Sequence, residues 1–299
     1  MRTLPYLKMG DTVEIIAPAA RSTDERLADL KKLLISWQLQ CIVDDQIFGD
    51  DLLCANSDAK RFQLLKNAVE RPETKAIICV RGGYGSARLM PELDNIITPR
   101  FPKLFVGMSD ITALHLYFQQ KWQWPTLHAA LGRDLFSDES TEAVKRILLG
   151  EVNQITMPGI ALNELARADA IINAEIVGGN LSIIQTSIGT SWQINTANKI
   201  LFLEETNERG YRVDRQLEHL RQVGIFKNVK AIIFGDFIKG NEPDGTSLIK
   251  PVLERFAQSC GIPVVQIAGI GHDRTNFPLP LGTPAKLILS SSPQLICQR

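Results

Sequence analysis

Residues 76–85 read Ala76-Ile77-Ile78-Cys79-Val80-Arg81-Gly82-Gly83-Tyr84-Gly85, an unbroken apolar run that enters a glycine-rich loop. A short, continuous apolar run suits a strand covered by helices on both faces, as in a parallel sheet. The pattern repeats on either side. Upstream, Thr12 to Ala17 reads as a buried strand ended by Pro18. Thr23 to Gln38 follows with Leu27, Leu30, Leu33, Leu34 and Trp37 at spacings that make one helical stripe, and Ser22, Thr23 or Asp24 can cap its start. Cys41 to Val43 reads as a strand and Asp58 to Val69 as a helix. Downstream, Leu89 to Ile97 starts helical, Leu104 to Val106 is a buried strand, and Ile111 to Gln120 is a helix. Strand and helix alternate about every 25 residues, which predicts a parallel, helix-covered sheet.

The rhythm changes after Gly150. Asn153 to Ile160 and Ala170 to Val177 read as strands with no helix between them. Ile200 to Glu205 and Ala231 to Phe234 are further strands, separated by one helix over Val213 to Val223. A Pro- and Gly-rich tail from Gly261 ends in a strand over Ala285 to Leu289. The expected organisation is an α/β domain over 1–150, a linker over 151–168 and a β-rich domain of mixed α and β over 169–299, built on a small curled sheet.

Composition narrows the function classes. The 299 residues contain 33 Lys+Arg and 33 Asp+Glu, a net charge of zero, which argues against a broad basic nucleic-acid surface. The five cysteines form no CxxC pair, so neither a disulfide framework nor a zinc ribbon is expected. No HExxH or paired-histidine spacing supports a metal site, and no cofactor is expected. The N-terminal stretch fails as a signal peptide because Lys8, Asp11 and Glu14 interrupt it. Residues 176–198, though uncharged, are too polar to span a bilayer. The expectation is a cytoplasmic protein bound to neither membrane nor nucleic acid.

Four segments can carry chemistry. In Phe105-Val106-Gly107-Met108-Ser109-Asp110-Ile111 a serine stands where a strand turns into a helix. Such a corner lifts the hydroxyl out of the fold beside outward-facing N–H groups, which suits an acyl-transfer nucleophile. Helix capping by Ser109 and Asp110 is the commoner role on this segment alone, and Ile111 breaks the G-x-S-x-G pattern. The loop Arg81 to Gly85 lets backbone approach a ligand, though a plain tight turn reads the same way. It lacks the glycines of a nucleotide-binding loop. In Ile200 to Glu205, Glu204 shares a face with Ile200 and Phe202, and Glu205 points the other way. Solvated acids at a strand end are the commoner case. Last, His272 sits in a glycine-flanked loop, Gly269-Ile270-Gly271-His272-Asp273, followed by Asn276.

In order along the chain, Arg81-Gly82-Gly83-Tyr84-Gly85, Val106-Gly107-Met108-Ser109-Asp110, Val177-Gly178-Gly179-Asn180-Leu181, Leu203-Glu204-Glu205, Tyr211-Arg212-Val213-Asp214-Arg215 and Gly271-His272 resemble the L,D-carboxypeptidases of peptidoglycan recycling, a serine peptidase family. The resemblance covers nearly the whole chain. It implies a flavodoxin-like N-terminal α/β domain joined to a C-terminal β-rich domain, an active site between them, and a homodimer. It maps a catalytic triad onto Ser109, Glu204 and His272, and an oxyanion hole onto the backbone N–H groups of Gly83 and Asp110. Asn180 and Tyr84 are candidate substrate contacts, although a Gly-Gly-Asn turn is also a common backbone device. Arg215 reads equally as an ion-pair residue. The implied substrate is the murein tetrapeptide L-Ala-D-Glu-meso-diaminopimelate-D-Ala, a small muropeptide that loses its terminal D-Ala. The chain departs from the family's usual pattern at Glu205, at His128-Ala129-Ala130 and at Ile270. Two other readings stand beside this one. One is a microcin-immunity-like peptidase acting on peptidyl or aminoacyl nucleotides. The other is a non-catalytic module that binds a small ligand.

Overall fold

The computed structural model describes residues 2–132 and 135–299. Its first sheet contains β1 (Thr12–Ile16), β2 (Gln40–Ile42), β3 (Thr74–Cys79), β4 (Leu104–Gly107) and β5 (Thr126–His128), all parallel, in the order β2-β1-β3-β4-β5. Helices α1 (Asp24–Ser36), α2 (Asp58–Glu70), α3 (Met90–Leu93) and α4 (Thr112–Tyr117) connect these strands. Side chains alternate across β3 as expected: Ala76 and Ile78 enter one core, Ile77 and Cys79 the other. Thr23 caps α1 by accepting from Arg26 N, and Leu30, Leu33 and Leu34 bury its stripe. The strand order reverses between β1 and β3. The carboxyl ends of the strands beside such a reversal are where doubly wound sheets bind ligands.

The second sheet is larger than the sequence reading expects. It has eight strands: β6 (Gln154–Pro158), β7 (Ile160–Ala161), β8 (Ala170–Asn180), β9 (Ile200–Thr206), β10 (Ala231–Ile238), β11 (Val264–Gln266), β13 (Pro284–Leu289) and β14 (Gln294–Gln298). They run in the order β6-β14-β13-β8-β9-β10-β11-β7. The central β8-β9-β10-β11 is parallel, and the flanking pairs are antiparallel. Helix α5 (Asp138–Leu148) packs Val144, Ile147 and Leu148 into the core of the first sheet, while α6 (Glu164–Arg167), α7 (Leu181–Thr186), α8 (Gly210–Gln222) and α9 (Ile249–Ser259) accompany the second. The sequence reading found α8 and overlooked α9. The stripe of Ile249, Val252, Leu253, Phe256 and Ala257 was there to read. Pro251 lies in its first turn, where proline is tolerated.

One strand of the C-terminal half ties the halves together. β12 (Leu279–Leu281) comes from the C-terminal half yet pairs antiparallel with β5, extending the first sheet. One apolar cluster also runs through both halves, joining Ile77, Phe105, Ile111 and Leu114 to Val177, Leu181, Leu201 and Phe234. No helix among the described residues is long and apolar enough to cross a membrane.

Candidate active site

The serine corner is built by β4. Its four residues are buried, Met108 is extended, and Ser109 turns into the left-handed region at φ 63°. A non-glycine residue there costs about 1–2 kcal/mol and marks a backbone held by its surroundings. A Cβ on Gly107 would lie 2.5 Å from Ile111 Cγ2. Glycine at 107 therefore lets the chain fold back tightly enough for Ile111 to pack on the strand end. One 3-10 turn over Ser109–Ile111 then leads into α4. Neither Ser109 nor Asp110 caps that helix through its side chain. Among the described residues, Ser109 Oγ has no hydrogen-bond partner.

The glycine-rich loop lies against this corner. A Cβ on Gly82 would meet Met108 O and Ser109 Cβ, each at 2.8 Å. Gly83, at φ 103°, faces Ala20 from the loop after β1, and Ala20 N donates to Gly82 O at 3.2 Å. The two loops at the strand reversal thus touch. Asp110 is buried, and its carboxylate accepts from Ser86 N at 2.8 Å while its carbonyl accepts from Ser86 Oγ at 2.6 Å. Among the described residues the Gly83 N–H donates to no protein acceptor. The Asp110 N–H lies in the first helical turn, where backbone donors lack intrahelical partners. Tyr84 projects from the loop, 49% exposed. Arg61, which the sequence reading passed over, is fully buried and donates to Gly85 O at 2.9 Å, Asn56 O at 3.0 Å, and to Pro18 O and Asp58. It fastens the far end of the loop. Its only signal in sequence was a charge on the apolar face of α2.

The two acids of β9 are both buried: Glu204 is 0% and Glu205 4% exposed. Solvated strand-end acids are thereby excluded. They take opposite faces, and the two are held differently. Glu205 accepts from Ser182 N, Ser182 Oγ, Asn180 Nδ2 and Thr206 N. Burial still raises its pKa, against the pull of those hydrogen bonds. Glu204 Oε2 accepts from His272 Nδ1 at 2.7 Å. Burial alone lowers the imidazole pKa, but the Glu204 charge and hydrogen bond outweigh it, leaving His272 above its ordinary value. With Nδ1–H donated to Glu204, the neutral ring presents Nε2 as a bare acceptor, and Nε2 has no partner among the described residues. The structure therefore joins Glu204 to His272 and forms no hydrogen bond between His272 and Ser109.

The His272 loop is clamped by Asp236, near the end of β10. Asp236 N donates to Ile270 O at 2.8 Å, and both of its carboxylate oxygens lie 3.1 Å from Gly269 N. Burial pushes its pKa up to about 6, with Asp273 and Glu204 nearby adding to the effect. Asp236 gave the same sequence signal as Glu204, an acid closing an apolar run, and the sequence reading missed it. Gly178 and Gly179 let β8 cross close to this region. A Cβ on Gly178 would lie 1.9 Å from Phe202 O, and one on Gly179 would lie 2.4 Å from Thr112 Oγ1. Asn180 is buried, caps α7 by accepting from Ile183 N, and holds Glu205. Arg215 stacks on the Tyr211 ring, 5.6 Å from its centroid. Among the described residues no cluster of three or more His, Cys, Asp and Glu could hold a metal ion.

Comparison with known proteins agrees along the chain. The LD-carboxypeptidase N-terminal domain model matches residues 13–129 and the C-terminal domain model residues 173–287. A protein of Rickettsia conorii that carries a provisional carboxypeptidase name is 40% identical, covering 95% of this chain and 90% of its own. The crystal structure of a muramoyltetrapeptide carboxypeptidase from Oxalobacter formigenes superposes with a TM-score of 0.82 at 25% identity, covering 96% of this chain and 99% of that one. An MccF-like protein from Bacillus anthracis superposes with a TM-score of 0.85 at 26% identity over the full length of both chains.

Proposed function

We propose that this chain, which belongs to the LD-carboxypeptidase family, is a serine carboxypeptidase that removes the terminal D-Ala from murein tetrapeptide during peptidoglycan recycling in the cytoplasm. The observation that carries the reading is the Glu204–His272 pair, which leaves Nε2 bare, within one fold with a serine held at a strained corner. A serine hydroxyl is a weak nucleophile at its own pKa and needs such a base.

In the proposed reaction, Ser109 Oγ attacks the L-centre carbonyl of diaminopimelate and gives its proton to His272 Nε2. Glu204 holds the ring in the tautomer that can accept and stabilises the imidazolium. The N–H groups of Gly83 and Asp110 bind the oxyanion, and loss of one such donor typically costs about 10²–10³ in kcat. His272 returns the proton to the departing amine of D-Ala, and water then releases the tripeptide by the same steps. Tyr84, exposed on the loop beside the nucleophile, and Asn180 are the proposed substrate contacts. For Asn180 to reach substrate, its carboxamide would have to exchange its bonds to Glu205 and Ile183 N for bonds to the peptide. The proposed organisation assigns the nucleophile to a domain over 1–150 and the acid and base to one over 169–299, and the working form is a homodimer.

The likeness to the MccF-like structure favours a second reading, cleavage of peptidyl or aminoacyl nucleotides by the same residues. One experiment separates the readings. The protein is incubated with diaminopimelate tetrapeptide and, in parallel, with an aminoacyl sulfamoyl nucleoside, and products are read by mass spectrometry. Release of D-Ala from the tetrapeptide alone supports the carboxypeptidase. Cleavage of the nucleoside alone transfers the reading to the microcin-type peptidase. Binding of either without turnover by folded protein supports a non-catalytic module.

A further inference from the structure

Asn276 lies between the His272 turn and β12 and is fully buried. Its Oδ1 accepts from Gly271 N at 3.2 Å, and its Nδ2 lies 3.1 Å from Met108 Sδ. The backbone N–H of Gly271 can only donate, so the carboxamide orientation is fixed and the NH₂ group faces the sulfur. Gly271 precedes His272, and Met108 precedes Ser109. One amide group thus bonds the neighbour of each residue while the two residues themselves share no hydrogen bond. Asn276 is anchored in turn, because its own N–H donates to Ser140 Oγ at 2.8 Å and Ser137 N donates to Arg274 O at 2.8 Å. Gly271 is held from its other side too: a Cβ there would lie 3.0 Å from Asp236 Cβ and 3.4 Å from Glu204 Oε2.

We propose that Asn276 is a positioning residue that sets the separation of Ser109 from His272 by bridging the backbone before one to the side chain before the other. The inference rests on the reading of Ser109 and His272 as nucleophile and base. A buried carboxamide is costly unless its groups are satisfied, and a leucine would fill the same space without that cost. What the amide adds is a fixed span between the β4 corner and the loop that carries the base. A misplacement of about 1 Å in such a pair costs about 100-fold in rate.

The test uses the full chain and a fluorophosphonate probe, which forms a P–O bond to an activated serine and loses fluoride. The labelling rate is followed against pH, and peptide mapping locates the label. For Asn276→Ala the plateau rate falls about 10- to 100-fold. The pH midpoint stays at the wild-type value, because the Glu204–His272 pair is untouched. Met108→Leu removes only the sulfur arm and lowers the rate by a smaller factor, about 2- to 5-fold. Circular dichroism and thermal melting establish that each variant is folded. Wild-type rates in the folded variants overturn the inference; if Asn276→Ala does not fold, Met108→Leu at the wild-type rate is sufficient to overturn it. A shifted pH midpoint in Asn276→Ala overturns it as well, since the effect would then lie in the Glu204–His272 pair. A wild-type protein that takes no label at Ser109 overturns the nucleophile assignment itself, and the inference falls with it.

Discussion

In the proposed reaction His272 acts as a base only while Nε2 is bare, so kcat/KM is expected to rise with pH through the His272 pKa. That pKa lies above the ordinary histidine value because the Glu204 charge and hydrogen bond outweigh burial. The acid limb of the pH profile is therefore expected above the midpoint of an unperturbed histidine. Glu204→Gln is expected to move that limb to lower pH and to cut the plateau by about 10²–10⁴, since the charge that orients and stabilises the imidazolium is gone. An unmoved limb in that variant contradicts the pairing. Asp236 tests the electrostatics from the other side. Its folded pKa is raised from 3.8 to about 6, so folding favours its protonated form. The penalty on its charge is absent at pH below its unfolded value, grows as pH rises to about 6, and is constant above that. Asp236→Asn should therefore stabilise the fold at pH 7.5 by about 1 kcal/mol after allowance for its partial exposure, and change little at pH 4. Thermal melts at the two pH values check this, and a larger gain at pH 4 contradicts the sign. At this scale the sequence was legible where residue type and position coincide, as with an acid closing the buried run of β9. It did not show what Arg61 and Asn276 hold, because Pro18 and Gly85 in one case and Met108 and Ser140 in the other are distant in the chain.

Elements meet here through glycines, and the glycines make the meeting testable. Between β8 and β9 there is no room for a side chain at position 178: a Cβ would sit 1.9 Å from Phe202 O, on a backbone at φ 143°. Gly178→Ala should force the strands apart and cost about 3 kcal/mol or more, from overpacking and the left-handed φ together. A melting temperature equal to wild type would contradict the close approach. Gly82→Ala is expected to act differently. Its Cβ would press on Ser109 Cβ and Met108 O, so activity should fall by more than stability. The periodicity of α1 and α2 and the apolar runs of β1, β3 and β4 made the first sheet readable, because each element is long or covered on both faces. The shortest strands were not readable for a physical reason. β5, β11 and β12 have three residues each, too few to show a period, and their pairing is decided by tertiary contacts.

At the scale of the molecule, the sequence showed where the rhythm changes but not that the chain returns. β12 brings Leu279–Leu281 back onto β5, and a single apolar cluster runs from Phe105 to Val177 and Phe234. Halves that share a sheet and a core should unfold together. Calorimetry is expected to show one transition with equal calorimetric and van't Hoff enthalpies, and two resolved transitions would contradict the shared core. The same return ties the His272 loop to the end of β4, since Asn276, within the stretch Gly271 to Leu281, bonds Met108 Sδ. In the proposed reaction this closure makes Ser109 the nucleophile and His272 its base. It is tested most directly by the rate of D-Ala release from diaminopimelate tetrapeptide for the native protein, Ser109→Ala and His272→Ala, each verified as folded. Release by the native protein and loss to background in both variants is the predicted result. Release by folded Ser109→Ala at a rate close to native would contradict it.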